Sequence, residues 1–245
     1  VENKRTIIDV IKRTAEEVFI PLTVGGGIKS LSDIREILLA GADKVSINTA
    51  SIHKPGFIQE ASKRFGSQCV VVAIDVKQTQ EGQWTVFSHG GTINTNKNAI
   101  EWILEVESLG AGELLITSMD RDGTRTGFDI EFLNLVTSKV HIPVIASGGA
   151  GSLKHFKDAI LSGGASAVLA ASLFHYGKLT IQDVKKFYFF QIGRWDLQLA
   201  NDKIIKFPHN NTEDAIKKSI ELLDRKDFEN YNIIDLRIDG KIIVE

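Results

Sequence analysis

The chain has 245 residues, of which 43% are hydrophobic and 24% charged, and its formal net charge is −2. This length can bury a sizeable core, whereas the balance of 29 basic against 31 acidic residues argues against a protein that coats nucleic acid. The single cysteine, Cys69, excludes an internal disulfide and a zinc site built on several cysteines. No apolar run approaches the roughly 18–20 residues needed to span a bilayer, and no signal-peptide pattern opens the chain. We therefore expect a soluble chain of cytoplasmic type.

Short apolar runs alternate with helical patterns up to about residue 187. Strands that are apolar on both faces and alternate with helices indicate a parallel sheet covered by helices. The predicted strands are 20–24, 44–47, 69–75, 113–117, 143–146 and 167–170, and the predicted helices are 7–18, 31–40, 55–65, 98–109, 129–138 and 153–161. Since a closed barrel of this type needs eight strands, six strands indicate part of one.

An internal repeat supports this interpretation. A shift of 122 positions aligns Gly26, Gly27, Ser30, Leu31 and Gly41 with Gly148, Gly149, Ser152, Leu153 and Gly163. A repeat of that length is half a barrel. The same shift puts the counterparts of Asp75 and Asp122 before Val1. We therefore predict that residues 1–187 are a (βα)₈ barrel of the TIM type, truncated at its N terminus and lacking its first two strands.

The remaining residues, 188–245, have a different pattern. Strand patterns at 195–199 and 203–207 flank Asn201-Asp202, and a helical pattern covers 213–225. Strand patterns at 233–238 and 241–244 flank Asp239-Gly240, which is a strong hairpin signal. This β-β-α-β-β order predicts a separate small α+β module.

Two glycine-rich segments, Val24–Gly27 and Ser147–Gly151, each follow a predicted strand and precede a helix. Glycines there let backbone N–H groups approach a phosphate. One such turn is often purely structural, but two turns related by the repeat predict a substrate with a phosphate at each end. The candidate ligands are Gly26, Gly27, Asn48 and Thr49 for one phosphate and Ser147, Gly148, Gly149, Ala171 and Ser172 for the other.

Carboxylates end two of the predicted strands. Asp75 closes one apolar run, and Asp120 and Asp122 follow the next. Catalytic groups of such barrels lie at the carboxyl ends of the strands, although Asp75 could instead cap a helix or anchor a loop. The three acids lack the spacing of a known metal loop, so acid–base work or hydrogen bonding to substrate hydroxyls is the favoured interpretation.

Several strings along the chain resemble one enzyme family: TVGGGI, GADKVSINTA, FGSQCVVVAIDVK, GAGELLITSMDRDGT and IASGGAG. In this order they resemble the cyclase subunit of imidazole glycerol phosphate synthase, and INTA, FGSQ and AID-x-K favour it over its sister isomerase. The resemblance implies a (βα)₈ enzyme that takes ammonia from a glutaminase subunit bound at the N-terminal barrel face. It also implies conversion of a doubly phosphorylated aminoimidazole-carboxamide ribotide, without metal or organic cofactor, into imidazole glycerol phosphate and a purine-precursor ribotide.

The resemblance also implies a role for individual residues. Asp75 matches one of two catalytic aspartates, and Asp122 matches a substrate-contacting carboxylate. Gly27, Asn48 and Thr49 match one phosphate site, and Gly123, Gly149 and Ser172 match the other. Lys44 and Glu113 resemble two gate residues of an ammonia tunnel, with Thr23 and Ser46 near its wall and Asp43 beside the partner interface. Lys44 and Glu113 open strands, so a solvated barrel rim is the alternative.

The family's other catalytic aspartate lies on a first strand that this sequence does not contain. Since losing one acid–base partner typically costs about 10²–10⁴-fold in rate, we expect the chain alone to be a weak cyclase or inactive.

The tail resembles another protein. GRWDLQL, IIKFP and NIIDLRIDGKIIVE are similar to the end of the extracytoplasmic β-domain of the division protein FtsQ. The competing hypothesis is therefore an interaction module that binds division proteins through its last strand, joined to an inert barrel fragment. No linker rich in Gly, Ser or Pro separates the two parts, which favours a junction of two gene fragments over an evolved fusion.

Overall fold

The computed structural model describes residues 2–181, 184, 187–190, 194–198, 203–207, 212–223, 225, 228, 230–236 and 242–244. The chain divides into two compact units, residues 1–171 and 172–245. None of the described helices has the length and apolar character needed to cross a membrane.

The first unit alternates helices and strands. Its elements are α1 (Glu2–Glu17), β1 (Thr23–Gly25), α2 (Leu31–Leu39), β2 (Lys44–Ile47), α3 (Thr49–His53), α4 (Gly56–Phe65), β3 (Val70–Gln78), β4 (Trp84–Ser88), β5 (Ile93–Asn98), α5 (Ala99–Ser108), β6 (Glu113–Ser118), α6 (Ile130–Thr137), β7 (Val144–Ser147), α7 (Leu153–Leu161) and β8 (Ala167–Val168). A short 3₁₀ turn, Ser67–Cys69, leads into β3.

Six of these strands form one parallel sheet in the order β1-β2-β3-β6-β7-β8. Neighbours in the sheet are neighbours along the chain except where the β4–β5 hairpin intervenes, which is the strand order of a (βα)₈ barrel. Within the described residues the sheet ends at β1 and β8. The prediction of a partial barrel is confirmed, and each of the six predicted strands overlaps an observed one.

The internal repeat also appears in the element bounds. Helix α2 spans Leu31–Leu39 and α7 spans Leu153–Leu161, so the 122-residue shift superposes both ends of the two helices. Their N-caps differ: the Ser30 side chain accepts from the Asp33 N–H and the Asp33 carboxylate accepts from the Ser30 N–H, whereas Ser152 makes no side-chain cap bond. The two halves therefore have equivalent bounds for this helix and differ in how its N terminus is capped.

The core lies between the outer face of the parallel sheet and its helices. Val45 and Ile74 alternate along their strands with less buried residues, and they join one apolar cluster with helical residues such as Ile58, Trp102 and Phe132. Fully burying one such side chain stabilises the fold by about 1.5–3 kcal/mol. The inward-facing residues are mostly half-buried, which leaves that face free for polar side chains.

The β4–β5 hairpin and the short helix α3 were not predicted. β4 pairs antiparallel with β3 and with β5. Its burial alternates, with Trp84, Val86 and Ser88 buried and the residues between them half-buried. Such alternation is typical of an antiparallel strand with one packed face.

The second unit contains α8 (Ser172–His175), β9 (Phe187–Phe190), β10 (Arg194–Gln198), β11 (Ile204–Phe207), α9 (Thr212–Leu223), β12 (Ile233–Asp235) and β13 (Ile243–Val244). Its sheet has the order β13-β12-β11-β10-β9, in which the β11–β12 pair is parallel. Ile205, Phe207, Ala215, Leu222, Ile234 and Leu236 form a small core. The predicted strands and helix are present, β9 was not predicted, and the turns Asn201-Asp202 and Asp239-Gly240 lie outside the described residues. The predicted domain boundary at residue 187 stays a prediction.

Candidate active site

A row of polar side chains crosses the inner face at the carboxyl ends of three strands. Asp75 of β3 is in register with Thr117 of β6, and Thr117 is in register with Ser147 of β7. Residues paired in this way share a face, and adjacent strands lie about 4.8 Å apart. All three are half-buried. The row therefore presents one carboxylate and two hydroxyls at the end of the barrel where catalytic groups of this fold lie.

Asp75 has a specific partner. The side-chain amide of Asn48, directly after β2, donates a hydrogen bond to Asp75 Oδ2 at 2.9 Å. Burial raises the pKa of the Asp75 carboxyl, the Asn48 hydrogen bond lowers it, and the negative charge of Asp122 adds to the rise; the net shift is upward. A carboxyl with a raised pKa can give as well as take a proton nearer to neutral pH, which suits acid–base catalysis.

The Asn48-Thr49 segment offers two polar atoms to a ligand, the side-chain oxygen of Asn48 and the hydroxyl group of Thr49. Asn48 Oδ1 is buried and has no hydrogen-bond partner within the described structure. The backbone N–H of His89, at the tip of the β4–β5 hairpin, donates to Thr49 Oγ1 at 3.0 Å. Since that oxygen already accepts a hydrogen bond, its own proton is available to an anionic ligand.

The first glycine-rich loop is open. Gly26 and Gly27 follow β1 with φ of 104° and 68°, and a Cβ on either would meet nothing within 4 Å. Gly123, after β6, has φ of 74° and equally open space. These positive φ angles favour glycine, and the free space leaves their backbone N–H groups accessible to a phosphate.

The second glycine-rich loop is closely packed. A Cβ on Gly148 would meet the Ser118 carbonyl oxygen at 2.7 Å, and one on Gly149 would collide with the Gly127 carbonyl oxygen. The Gly127 N–H donates to the Gly149 carbonyl at 2.8 Å. The loop after β7 is therefore joined to the loop after β6, which carries Asp122, so glycine has a packing role here that it lacks at residues 26–27.

The loop with Asp122 is also tied to β3. Asp120 Oδ2 accepts from the Gln78 N–H at 2.7 Å, and the Met119 N–H donates to the Val76 carbonyl at 2.8 Å. Asp120 thus anchors the loop, while Asp122 remains exposed. Spacing along the chain gives no signal for this contact, because Gln78 and Asp120 meet only through the pairing of β3 with β6.

Charged residues meet at the opposite end of the same inner face. Lys44 Nζ and Glu113 Oε1 form an ion pair between β2 and β6, across the intervening β3. Thr23 and Ser46 lie on the same face as Lys44, since Thr23 pairs with Lys44 and Ser46 alternates with it. Asp43 lies just before β2, where its carboxylate accepts from the Leu22 N–H at 2.8 Å. The inner face is therefore polar at both ends.

Ala171 and Ser172 follow β8. Ala171 is the last residue of the first unit and Ser172 is the first of the second, so their part in a phosphate site stays a prediction. The other candidate residues lie at the strand ends expected of them. Asn48's bond to Asp75 and the hairpin beside Thr49 were not foreseen.

The arrangement combines a carboxyl with a raised pKa, hydroxyl and amide groups beside it, and open glycine loops at the same end of the strands. Residues 1–180 match the family described as "Histidine biosynthesis protein". The match covers well over half of the chain, including every strand of the parallel sheet and every candidate residue from Thr23 to Ser172. The chain belongs to the histidine biosynthesis protein family, a family of enzymes with this barrel fold.

Proposed function

We propose that the first unit is of the cyclase type within this family, the subunit of imidazole glycerol phosphate synthase that closes the imidazole ring with ammonia. The observation that carries the proposal is the polarity of both ends of one inner face. The Asp75–Asn48 pair lies at the carboxyl end, and the Lys44–Glu113 pair lies at the amino end. A reaction whose ammonia arrives at one end and whose carbon substrate binds at the other uses both.

In this mechanism ammonia attacks a carbonyl carbon of the ribulosyl substrate, a C–N bond forms, and the carbonyl oxygen leaves as water. Each step needs protons moved to the oxygen and away from the nitrogen. The raised pKa of the Asp75 carboxyl suits that exchange. Asn48 binds Oδ2 and so leaves the other carboxyl oxygen of Asp75 to face the substrate.

Phosphate groups of the substrate would bind at the glycine loops. Gly26, Gly27 and Thr49 would hold one phosphate, and Gly123 and Gly149 the other. The free space at Gly26, Gly27 and Gly123 supports these assignments. The exposed carboxylate of Asp122 would accept hydrogen bonds from substrate hydroxyls. No metal or organic cofactor enters this scheme.

Ammonia would reach the site from a glutaminase subunit at the amino end of the strands, making the enzyme a heterodimer. The Lys44–Glu113 pair would act there as a gate, with Thr23 and Ser46 along the route and Asp43 near the partner. Since the family's other catalytic aspartate has no counterpart among the 245 residues, we propose that this chain alone is weakly active or inactive.

The test is ammonia-dependent turnover of the ribulosyl substrate by the full chain, with Asp75→Asn as the matched variant. Turnover that requires ammonia and is lost in Asp75→Asn supports a cyclase with Asp75 as its acid–base group. Turnover of the isomerase substrate without ammonia would overturn the proposal in favour of the sister activity. If the chain is silent, an N-terminal extension carrying the two further strands should restore ammonia-dependent turnover, and failure to do so would also count against it.

A second candidate, proposed from the sequence resemblance of the tail to the end of FtsQ, is that this tail binds division proteins. The observation that favours it is that β13 ends the sheet within the described residues, with exposed Ile243 in the strand and exposed Ile242 just before it. Such an edge can pair with another strand. The test is binding of purified division proteins to the full chain and to Ile243→Lys. Equal binding by both, or none by either, would refute an interaction through this strand.

A further inference from the structure

The β4–β5 hairpin adjoins Asp75 along one edge of β3. β2 pairs with β3 at residues 70–72, and β4 pairs with it at residues 75–78. β6 occupies the other edge of β3 from Val71 to Val76. A strand can pair along only two edges. β2 and β4 therefore share one edge of β3, and the part that pairs with β4 begins at Asp75, in the row of polar side chains.

Phe87 of the hairpin lies directly opposite Asp75. The two are partners in the antiparallel β3–β4 pair, so their side chains share a face and their Cβ atoms are about 4.5–5.5 Å apart. The other face of β4 carries the buried Trp84, Val86 and Ser88. Phe87 is thus the aromatic residue on the inner face beside the candidate acid.

The hairpin is fixed at its base and at its tip. At the base, Trp84 stacks on Phe132 of α6 with 4.9 Å between ring centroids. At the tip, the His89 N–H binds Thr49 Oγ1, and His89 Nδ1 lies 3.0 Å from Ser88 Oγ. His89 has φ of 54°, a conformation that a residue other than glycine keeps only when its surroundings hold it there. The hairpin is therefore attached to α6 at its base and to Thr49 at its tip.

We propose that the β4–β5 hairpin is a wall of the candidate active site and that Phe87 is a positioning residue which excludes water from the Asp75 carboxylate. The proposal rests on the role of Asp75 as acid–base group given above. It assigns to the hairpin, which lies outside the parallel barrel, a share in setting the proton affinity of the site.

The groups around Asp75 separate this effect from that of charge. From β2 comes the neutral amide of Asn48, and from β6 the neutral hydroxyl of Thr117. The charged neighbours are Asp122, whose repulsion adds to the raised pKa, and the exposed Lys77, two residues further along the same face of β3. Burial is the largest cause of the raised pKa of Asp75, and Phe87 is the apolar partner opposite it. Replacing Phe87 alters the burial and leaves both charges in place.

The experiment compares Phe87→Thr with Phe87→Leu in the full chain. The titration of the Asp75 carboxyl is followed by carbon-detected NMR, and Asp75→Asn identifies the signal. Threonine favours a strand but is polar, so Phe87→Thr should admit water to the Asp75 carboxyl. The midpoint of the Asp75 titration should then move to lower pH. In Phe87→Leu the apolar cover remains, and the midpoint should stay near that of the unaltered chain. Thr85→Ser, two residues away on the same face of β4, is the control and should leave it unchanged.

A midpoint unchanged in Phe87→Thr would overturn the proposal. A shift in Phe87→Leu as large as in Phe87→Thr would also overturn it, because loss of shape would then matter and not access of water. Thermal unfolding of each variant verifies that the unit is folded. Since the readout needs no turnover, the proposed cyclase function can fail while the wall stands, and the wall can fail in a chain that turns over substrate.

Discussion

Breaking the ion pair at the amino end of the inner face should destabilise the first unit measurably. Lys44 and Glu113 join β2 to β6 across β3. Val71 of β3, only 1% exposed, is in register with Ser46 of β2 on one side and with Glu113 of β6 on the other. The strand between the two charged residues therefore carries a buried apolar side chain on their face. The ion pair thus links β2 and β6, which are not paired with each other, across the buried Val71 side chain of β3.

The burial of the two side chains sets the magnitude. They are 27% and 20% exposed, between a surface pair, which contributes about 0–1 kcal/mol, and a fully buried pair, whose rupture costs about 3–5 kcal/mol. We expect Lys44→Met or Glu113→Leu to lower the free energy of unfolding by about 2 kcal/mol. The double variant leaves no unpaired charge, so the coupling energy between the two sites should be about 1–2 kcal/mol.

The assay is urea unfolding followed by tryptophan fluorescence, analysed by linear extrapolation. The chain has three tryptophans. A Trp195→Phe background leaves Trp84 and Trp102, both in the first unit, so the signal reports that unit alone. The coupling energy should persist in 0.5 M salt, because a partly buried pair is screened less than an exposed one.

The exposed pair Lys54–Glu60 provides the control. Its atoms are 2.8 Å apart, but its side chains are 66% and 47% exposed. The same double-variant cycle should give a coupling of no more than about 0.5 kcal/mol, lost in salt. If the Lys44–Glu113 coupling were as small and as sensitive to salt as that of Lys54–Glu60, the inference that the inner face encloses this pair would be refuted.

Three further predictions concern the opposite end of the barrel. Asp75→Asn should stabilise the first unit at neutral pH. Because the pKa of Asp75 is raised, the folded chain binds this proton more tightly than the unfolded chain does. The stability that Asp75 gives is therefore complete in acid and falls as pH rises through the raised pKa. Thermal unfolding at several pH values should show the difference between the two chains closing in acid. Asn48→Ala should move the carboxyl titration of Asp75 to higher pH, because it removes the hydrogen bond that lowers this pKa, and a shift to lower pH would contradict the role given to Asn48. Gly149→Ala should destabilise the unit far more than Gly27→Ala in urea unfolding. A methyl group added at Gly149 would collide with the Gly127 backbone, whereas one added at Gly27 would meet open space and cost only about 1–2 kcal/mol for the positive φ. Equal losses of stability would show that the packing around residue 149 relaxes freely.

Most of the first unit could be predicted because its strands are buried on both faces. Such strands appear as continuous apolar runs, and Lys44–Ile47 was predicted with the bounds that the structure has. The last parallel strand is shorter than predicted, ending at Val168 instead of Ala170. Its last partner pair is Ala146 with Val168, and among the described residues its last backbone hydrogen bond to β7 runs from the Leu169 N–H to the Ala146 carbonyl, so the apolar run extends beyond the pairing. A strand ends where its pairing with the neighbouring strand ends, and the apolar run in the sequence does not show that point.

The hairpin was missed although its signal is present. The alternation from Trp84 to Ser88 and the turn residues Gly90-Gly91 are typical of a β-hairpin. They fall inside a βα connection, where the repeating barrel pattern predicts a loop. The opposition of Phe87 to Asp75 depends on register, and no local pattern predicts register between strands joined by a turn of unknown length.

The candidate site was predictable as a set of positions and not as a set of contacts. The strand-end rule of the barrel picks out Asp75, and the repeat picks out both glycine loops. The bond from Asn48 to Asp75 and the pairing of Lys44 with Glu113 arise from neighbours 27 and 69 residues away in the chain. Two loops that look equivalent by repeat also differ in packing, because Gly148, Gly149 and Gly151 have another loop against them whereas Gly26 and Gly27 have open space.

The antiparallel attachment of β4 has a consequence for the order of folding. Asp75 and Phe87 are twelve positions apart, whereas Val71 and its partner Glu113 on β6 are 42 apart. Closing the shorter loop costs less chain entropy, and local contacts form faster than distant ones. The meander β3-β4-β5 should therefore assemble ahead of the parallel sheet, and the candidate acid should acquire its aromatic neighbour before the barrel interior around it exists.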